Sequence, residues 1–219
     1  MATTTSTAAR TSLASVALEV ADVEAARRFS SAFGVDAYIR LRASEAHSTG
    51  FRGFTLGLTV SRPATVDGFL GAAVDAGATV LKPAAKSLWG YSGVVRAPDG
   101  TIWKIATSAK KDTGPDTRAI DEVVLLLGVE SVKATKQFYA ERGLTVAKSV
   151  GGKYVEFAAG QSSPVKLALY KRRALAKDLG VPVDGSGSHR VVLGGTADAF
   201  TDPDGFAWEA AAPDAPTPS

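Results

Sequence analysis

One strand ending occurs twice in the chain, as Ala-Pro-Asp-Gly-Thr-Ile-Trp-Lys at residues 97–104 and as Asp-Pro-Asp-Gly-Phe-Ala-Trp-Glu at residues 202–209. Both copies contain Pro-Asp-Gly, two further residues, a tryptophan and a charged residue. Proline fixes φ, aspartate bonds the nearby backbone and glycine accepts a positive φ, so each copy predicts a tight turn that opens a strand of a curved sheet. Lys104 and Glu209 occupy equivalent places in the two copies but carry opposite charge.

A second pair of similar segments accompanies the two turns. Residues 20–29 resemble residues 129–138, and a glycine follows each segment at the same spacing, at Gly34 and Gly143. The segments and the turns keep nearly the same separation, which unrelated short turns would not do. We therefore interpret the chain as an internal duplication.

The duplication predicts how the chain is divided. The length of 219 residues and the hydrophobic content of 45% allow one full domain or two. A charged, turn-rich stretch marks the best linker, and both ends of the chain are small, polar or rich in proline. The predicted parts are a disordered tail at 1–11, a first half at 12–109, a linker at 110–118, a second half at 119–212 and a disordered tail at 213–219.

Apolar periodicity predicts the same order of elements in both halves, a strand and a helix followed by three strands. The first helix is predicted at residues 23–33, with Asp22 as its N-cap and Gly34 after its last turn. Complete βαβββ units are predicted at residues 54–106 and 122–170, whereas the opening unit is too short for its last strands and the closing unit lacks a helix. The predicted fold class is α+β, with repeated βαβββ units in curved, cup-shaped mixed sheets.

Three further segments are assigned from composition. Residues 42–50 and 171–187 are predicted to be loops, and residues 37–41 a short strand. The basic run at residues 171–173 is typical of a solvated loop or a helix start rather than a nucleic-acid surface.

This order of elements, closed by Pro-Asp-Gly-x-x-Trp, resembles the vicinal oxygen chelate superfamily, which includes glyoxalase I, bleomycin-resistance proteins, extradiol dioxygenases and fosfomycin-resistance enzymes. The resemblance covers residues 13–211. It is best at residues 79–106, where Leu81-Lys82-Pro83, Trp89-Gly90-Tyr91 and the first Pro-Asp-Gly turn look like the final hairpin of that superfamily. One scaffold hosts many chemistries, so the resemblance implies a fold more firmly than a function.

In the metal enzymes of this superfamily, His or Glu side chains on the first and last strands of each unit hold a divalent ion. Such a site needs three or four converging donors. Carried onto the first half of this chain, the pattern gives Ser15, Thr55 and Lys104. An ammonium group at a ligand position repels a metal, so the resemblance implies no metal in the first half.

The second half retains more donors. Val124 aligns with the first-strand ligand position, and Glu122 lies two residues earlier on the same strand face. Glu209 remains on the last strand, and His189 or Arg190 lies near the remaining position. The resemblance therefore leaves open an alternative function, a metal-dependent glyoxalase-like lyase or dioxygenase that uses Glu122, His189 and Glu209.

The preferred hypothesis is a metal-independent protein that sequesters a small organic molecule, such as an antibiotic or metabolite, with no cofactor. Strand parity and the hairpin predict side chains that line the cup, where apolar surface supplies affinity and a few polar groups fix orientation. The predicted ligand-binding residues are Ser15, Glu19, Thr55, Trp89, Tyr91, Lys104, Glu122, Tyr154, Tyr170 and Glu209. A third hypothesis is a scaffold whose cup is filled by side chains, for example with Lys104 paired to Glu19; Trp103 and Trp208 are predicted to pack beneath the helices.

Composition limits the classes of partner that are expected for this chain. The net charge of +3 is mild and the basic residues are scattered, so no nucleic-acid partner is expected. No apolar run is long enough to cross a bilayer, so no membrane partner is expected either. The chain has no cysteine, which fits a reducing cytoplasm and excludes thiolate metal ligands. A monomer and a homodimer both remain open, because a duplicated chain can build a cup alone or with a second copy.

Overall fold

The structure is a computed structural model, which describes residues 12–160, 163–195 and 198–210. The predicted tails at 1–11 and 213–219 lie outside these residues. The helices are α1 (Val23–Phe33), α2 (Pro63–Asp75), α3 (Val132–Glu141) and α4 (Arg172–Leu179). The strands are β1 (Leu13–Val20), β2 (Arg40–Ala43), β3 (Ser48–Gly50), β4 (Phe54–Thr59), β5 (Thr79–Ser87), β6 (Gly90–Arg96), β7 (Ile102–Thr107), β8 (Glu122–Val129), β9 (Val146–Val150), β10 (Tyr154–Phe157), β11 (Val165–Lys171), β12 (Gly185–Gly187), β13 (Val191–Gly195), β14 (Phe200–Thr201) and β15 (Ala207–Ala210).

The larger sheet has eight strands in the order β5-β6-β7-β4-β8-β11-β10-β9. It consists of two complete βαβββ units, and in each unit the first strand pairs in parallel with the last, β4 with β7 and β8 with β11. The units join through the antiparallel pair of β4 and β8. The predicted units at residues 54–106 and 122–170 and the α+β fold class are therefore confirmed.

The smaller sheet has five strands in the order β14-β15-β13-β1-β2 and comes from the two ends of the described chain. Its centre is again an antiparallel pair, β1 with β13, flanked by the parallel pairs β1 with β2 and β13 with β15. Each of the two sheets takes strands from both sides of the predicted linker. The division into halves and the internal duplication stay predictions.

Helices cover the apolar faces of the sheets. The side chain of Trp103 on β7 is 1% exposed and its ring lies 5.3 Å from that of Phe33 on α1. On the smaller sheet, the indole N–H of Trp208 donates to the hydroxyl of Tyr139 on α3 at 3.2 Å. Both tryptophans pack beneath helices as predicted, and they belong to one continuous core.

Local signals determine α1 as expected. Asp22 accepts a hydrogen bond from the backbone N–H of Ala25 at 2.9 Å, and Gly34 ends the helix at φ 84°. Within the described ranges, every helix is too short or too polar to traverse a lipid bilayer.

Two predicted loops are wrong. Residues 171–187 contain helix α4 and strand β12, and residues 42–50 contain the end of β2 and strand β3, which pairs antiparallel with β12. The physical reason is long-range packing, because β3 and β12 are far apart in sequence and α4 buries its apolar side on the large sheet. The short strand predicted at residues 37–41 begins instead at Arg40, where pairing with β1 starts.

Candidate functional site

One row of side chains crosses the open face of the large sheet. Lys104, Gly57, Val124 and Lys166 are neighbours in register on β7, β4, β8 and β11. Residues directly opposite one another share a sheet face, and the intervening residues of these strands lie in the core on the other face. Gly57 and Val124 lie in the middle of the row, so the sheet face is shallow there. Lys104 and Lys166 make the two ends of the row cationic.

Helix α4 lies against this open face. Leu175 and Leu179 are fully buried in a cluster with Phe51, Val94 and Ile102. The sheet face that the sequence predicted to be an open cup is therefore partly covered by a helix of the same chain. The burial of two leucines makes α4 a fixed wall of the site.

Asp178 on α4 connects the helix to two lysines of the sheet. The ammonium group of Lys104 donates to the Asp178 carboxylate at 2.6 Å, and that of Lys82 donates to the Asp178 carbonyl oxygen at 2.7 Å. The hypothesis that Lys104 pairs with Glu19 is wrong, because Glu19 binds Arg42 on the other sheet. Lys104 instead points from the open face of the large sheet toward α4.

A cleft of about 260 Å³ lies beside α4, over strands β5 to β7. It brings together three predicted site residues, Trp89, Tyr91 and Lys104. Trp89, at the tip of the β5–β6 hairpin, is 89% exposed, and the Tyr91 hydroxyl donates to the Asp67 carboxylate at 2.9 Å. Tyr91 pairs in register with Thr107, so this hydrogen bond holds its ring on the α2 face of the sheet, opposite Lys104.

The cleft also contains residues that were not predicted, namely Lys82, Lys86 and Asp178. Lys82 and Lys86 lie in the stretch that best resembles the superfamily, so their positive charges could have been noted from the sequence. Asp178 was missed together with its helix. The predicted residue Thr55 is buried outside the cleft, where its hydroxyl donates to the Ile102 carbonyl oxygen at 2.8 Å.

A separate polar network lies on the β8–β11 side of the open face. Lys166 pairs with Glu122 and, at 3.6 Å, with Glu156, which also accepts a hydrogen bond from the Tyr154 hydroxyl at 2.9 Å. The hydrogen bond to Glu122 raises the pKa of Lys166, and burial, followed by Glu156, raises that of Tyr154. The predicted residue Tyr170 packs against the α4 cluster instead.

Three further predicted residues, Ser15, Glu19 and Glu209, lie on the small sheet. Ser15 and Glu209 each pair in register with Gly194, so they share a face. Arg42 donates to both Glu209 oxygens at 2.9 Å and to Glu19 at 2.7 Å. These hydrogen bonds, that to Glu209 first, raise the pKa of Arg42.

His189 stabilises the second Pro-Asp-Gly turn. Its Nε2 lies 3.0 Å from the carbonyl oxygen of Asp204, its Nδ1 faces the carbonyl oxygen of Arg52, and its ring stacks on Phe206 at 4.0 Å. A metal requires a free lone pair on a ring nitrogen, and both nitrogens face acceptor oxygens here.

The residues of the metal alternative do not fit a divalent ion. Glu122 and Glu209 are each bound by a cation, on different sheets, and His189 is bonded to backbone. Across residues 12–160, 163–195 and 198–210, no three His, Cys, Asp or Glu side chains are grouped so that they could hold a metal ion. The structure therefore does not bring Glu122, His189 and Glu209 together.

Comparison with known proteins identifies the fold. No family model and no curated protein matches the sequence. Glyoxalase I from Zea mays is similar in structure, with 12% identity and a TM-score of 0.55, over 90% of this chain and 91% of that chain. A proposed dioxygenase from Bacillus subtilis is 12% identical with a TM-score of 0.52, over 88% of this chain and 71% of that chain. The chain has the vicinal oxygen chelate fold, which confirms the predicted resemblance.

Proposed function

We propose that this protein binds a small organic molecule without a metal ion, in the cleft between α4 and strands β5 to β7. The observation that carries the proposal is the position of Lys104. It occupies a last-strand position that the superfamily's metal enzymes use for a ligand, it is paired with Asp178, and it lines a cleft that also includes the exposed Trp89. Sequestration of an antibiotic or metabolite in the cytoplasm is the biological role that this proposal implies.

The ion pairs oppose metal binding. A divalent ion at Glu122 would have to displace Lys166, and one at Glu209 would have to displace Arg42. The displaced cations would then repel the ion across a few ångströms. No step of the proposed function therefore uses a metal.

The cleft supplies what small-molecule binding needs. Apolar surface from Trp89, Pro83 and Val94 provides affinity, and the lysines provide a few polar contacts that fix orientation. The wall formed by α4 is held by buried leucines, so little ordering is required when a ligand enters.

The proposal is tested by titrating the full chain with anilinonaphthalene sulfonate, a fluorescent aromatic probe. We expect saturable binding that Trp89→Ala weakens about tenfold, since an aromatic anchor contributes about 1 to 2 kcal/mol. Leu88→Ala is the matched control, because Leu88 is 86% exposed at the same hairpin tip but does not line the cleft. Equal affinity for the two variants would contradict the proposal.

A further inference from the structure

The cleft carries an excess of positive charge. Three lysines line it, Lys82, Lys86 and Lys104, and Asp178 is the acidic residue of its lining. Lys82 and Lys104 both pair in register with Val94, so they lie on the open face with Asp178, whereas Lys86 pairs with Tyr91 and lies on the other face. One carboxylate therefore faces two ammonium groups. A neutral or cationic ligand would leave this charge uncompensated.

Among the residues that the structure describes, Lys82 and Lys104 each keep hydrogen-bond donors that a ligand could use. An ammonium group has three N–H donors. Lys104 gives one to the Asp178 carboxylate, and Lys82 gives one to the Asp178 carbonyl oxygen near the end of α4. An anion in the cleft would find donors from more than one side.

The exposed ring of Trp89 restricts the shape of the ligand. Trp89 presents nearly its whole side chain to solvent, whereas the Tyr91 ring is turned toward Asp67 on α2, so Trp89 is the ring on which a ligand can stack. Flat π surfaces of this kind bind aromatic rings by offset or edge-to-face stacking.

We propose that the ligand of the cleft is an aromatic acid, a flat ring system that carries a carboxylate or another oxyanion. The ring stacks on Trp89, and the oxyanion accepts hydrogen bonds from Lys82 and Lys104, which share the open face. This inference rests on the proposed function and names its ligand class. Asp178 competes with the oxyanion for Lys104 and so limits the affinity.

The test compares 2-naphthoate with 2-naphthamide by titration calorimetry on the full chain. The two probes share one ring system and differ in charge. We expect 2-naphthoate to bind at least about fivefold more tightly, because charge-assisted hydrogen bonds are about twice as strong as neutral ones. Added NaCl should weaken the binding of the acid and leave that of the amide unchanged.

Two variants should move the affinity in opposite directions. Lys82→Met should weaken 2-naphthoate about threefold without changing 2-naphthamide, the size expected of an exposed charge pair, whereas Lys86→Met, on the other face of the same strand, should change neither probe. Asp178→Asn should tighten 2-naphthoate by a similar factor, since it frees Lys104 while the backbone oxygen that binds Lys82 remains. Lys177→Met, on the exposed side of α4 and outside the cleft, is the matched control and should change neither probe.

The negative results of these experiments distinguish failure of the ligand class from failure of the proposed function. Equal affinity for both probes, weakened by Trp89→Ala, would overturn the charge preference and leave the proposed function standing. No effect of Lys82→Met and Asp178→Asn on 2-naphthoate would likewise overturn it. Absence of Trp89-dependent binding for both probes would overturn the proposed function, and the ligand class with it.

Discussion

The open faces of the two sheets differ in what lies on them. The large sheet has helix α4 against it, anchored by Leu175 and Leu179, and a cleft beside the helix. On the small sheet, Arg42 is bound between Glu19 and Glu209. Buried apolar side chains hold a wall in place, whereas exposed ion pairs neutralise a surface but contribute little stability. The difference indicates why ligand binding is proposed at the large sheet.

The largest effect is expected where α4 meets the large sheet. Leu179→Ala should lower the free energy of unfolding by about 3 kcal/mol, because it leaves a cavity in a fully buried cluster. Urea unfolding measures the change. Arg173→Ala, on the exposed part of α4, is the control and should stay within about 0.5 kcal/mol of the parent protein. A loss below about 1 kcal/mol for Leu179→Ala would mean that α4 is a loosely held lid.

The two Pro-Asp-Gly turns give a further contrast between the sheets. The residue before the proline is Ala97 in the turn of the large sheet and Asp202 in the turn of the small sheet, and both residues are buried. The Asp202 carboxylate accepts hydrogen bonds from the Tyr139 hydroxyl at 2.6 Å and from the backbone N–H groups of Asp204 and Phe206. Burial nevertheless raises the pKa of Asp202 above its ordinary value of 3.8. The folded protein therefore binds this proton more tightly than the unfolded chain.

The consequence is a pH dependence with a definite sign. The stabilisation from the protonated Asp202 is fully present below pH 3.8 and is lost as the pH rises through the raised pKa. Relative to Asp202→Asn, the parent protein should thus lose stability between acidic and neutral pH, by about 1 kcal/mol for each unit of pKa shift. Urea unfolding of both proteins across this range measures it. A constant difference, or one that grows in favour of the parent protein, would contradict the assignment.

The smallest effect is expected on the small sheet. Arg42→Met breaks ion pairs whose side chains are partly exposed, so it should cost less than about 1 kcal/mol of stability. It should also leave the binding of anilinonaphthalene sulfonate unchanged, because Arg42 does not line the cleft. A large loss of probe binding in this variant would move the proposed site to the small sheet.

Sequence reasoning succeeded where signals are local. Asp22 and Gly34 mark the ends of α1 by their own chemistry, and two complete βαβββ units follow from periodicity. Helix α4 was missed because no side chain caps its start and its apolar residues are explained only by the sheet beneath them. The pairing of β3 with β12 likewise depends on contacts between distant segments.

The residues of the candidate site were likewise predictable only where local signals identify them. Trp89, Tyr91 and Lys104 were identified from the hairpin and the last strand, and the structure brings them to one cleft. Glu122 and Glu209 were also selected by strand parity, which gives the face of a residue but not its partner. Their cations, Lys166 and Arg42, come from other strands, so the sequence alone left a metal site open.

The most direct test is elemental analysis of the full chain purified without chelator, together with Glu122→Gln and Glu209→Gln. If Lys166 and Arg42 already neutralise these carboxylates, none of the three proteins should contain a stoichiometric amount of iron, manganese, nickel or zinc. A stoichiometric metal in the parent protein that is lost in either variant would contradict metal-independent binding.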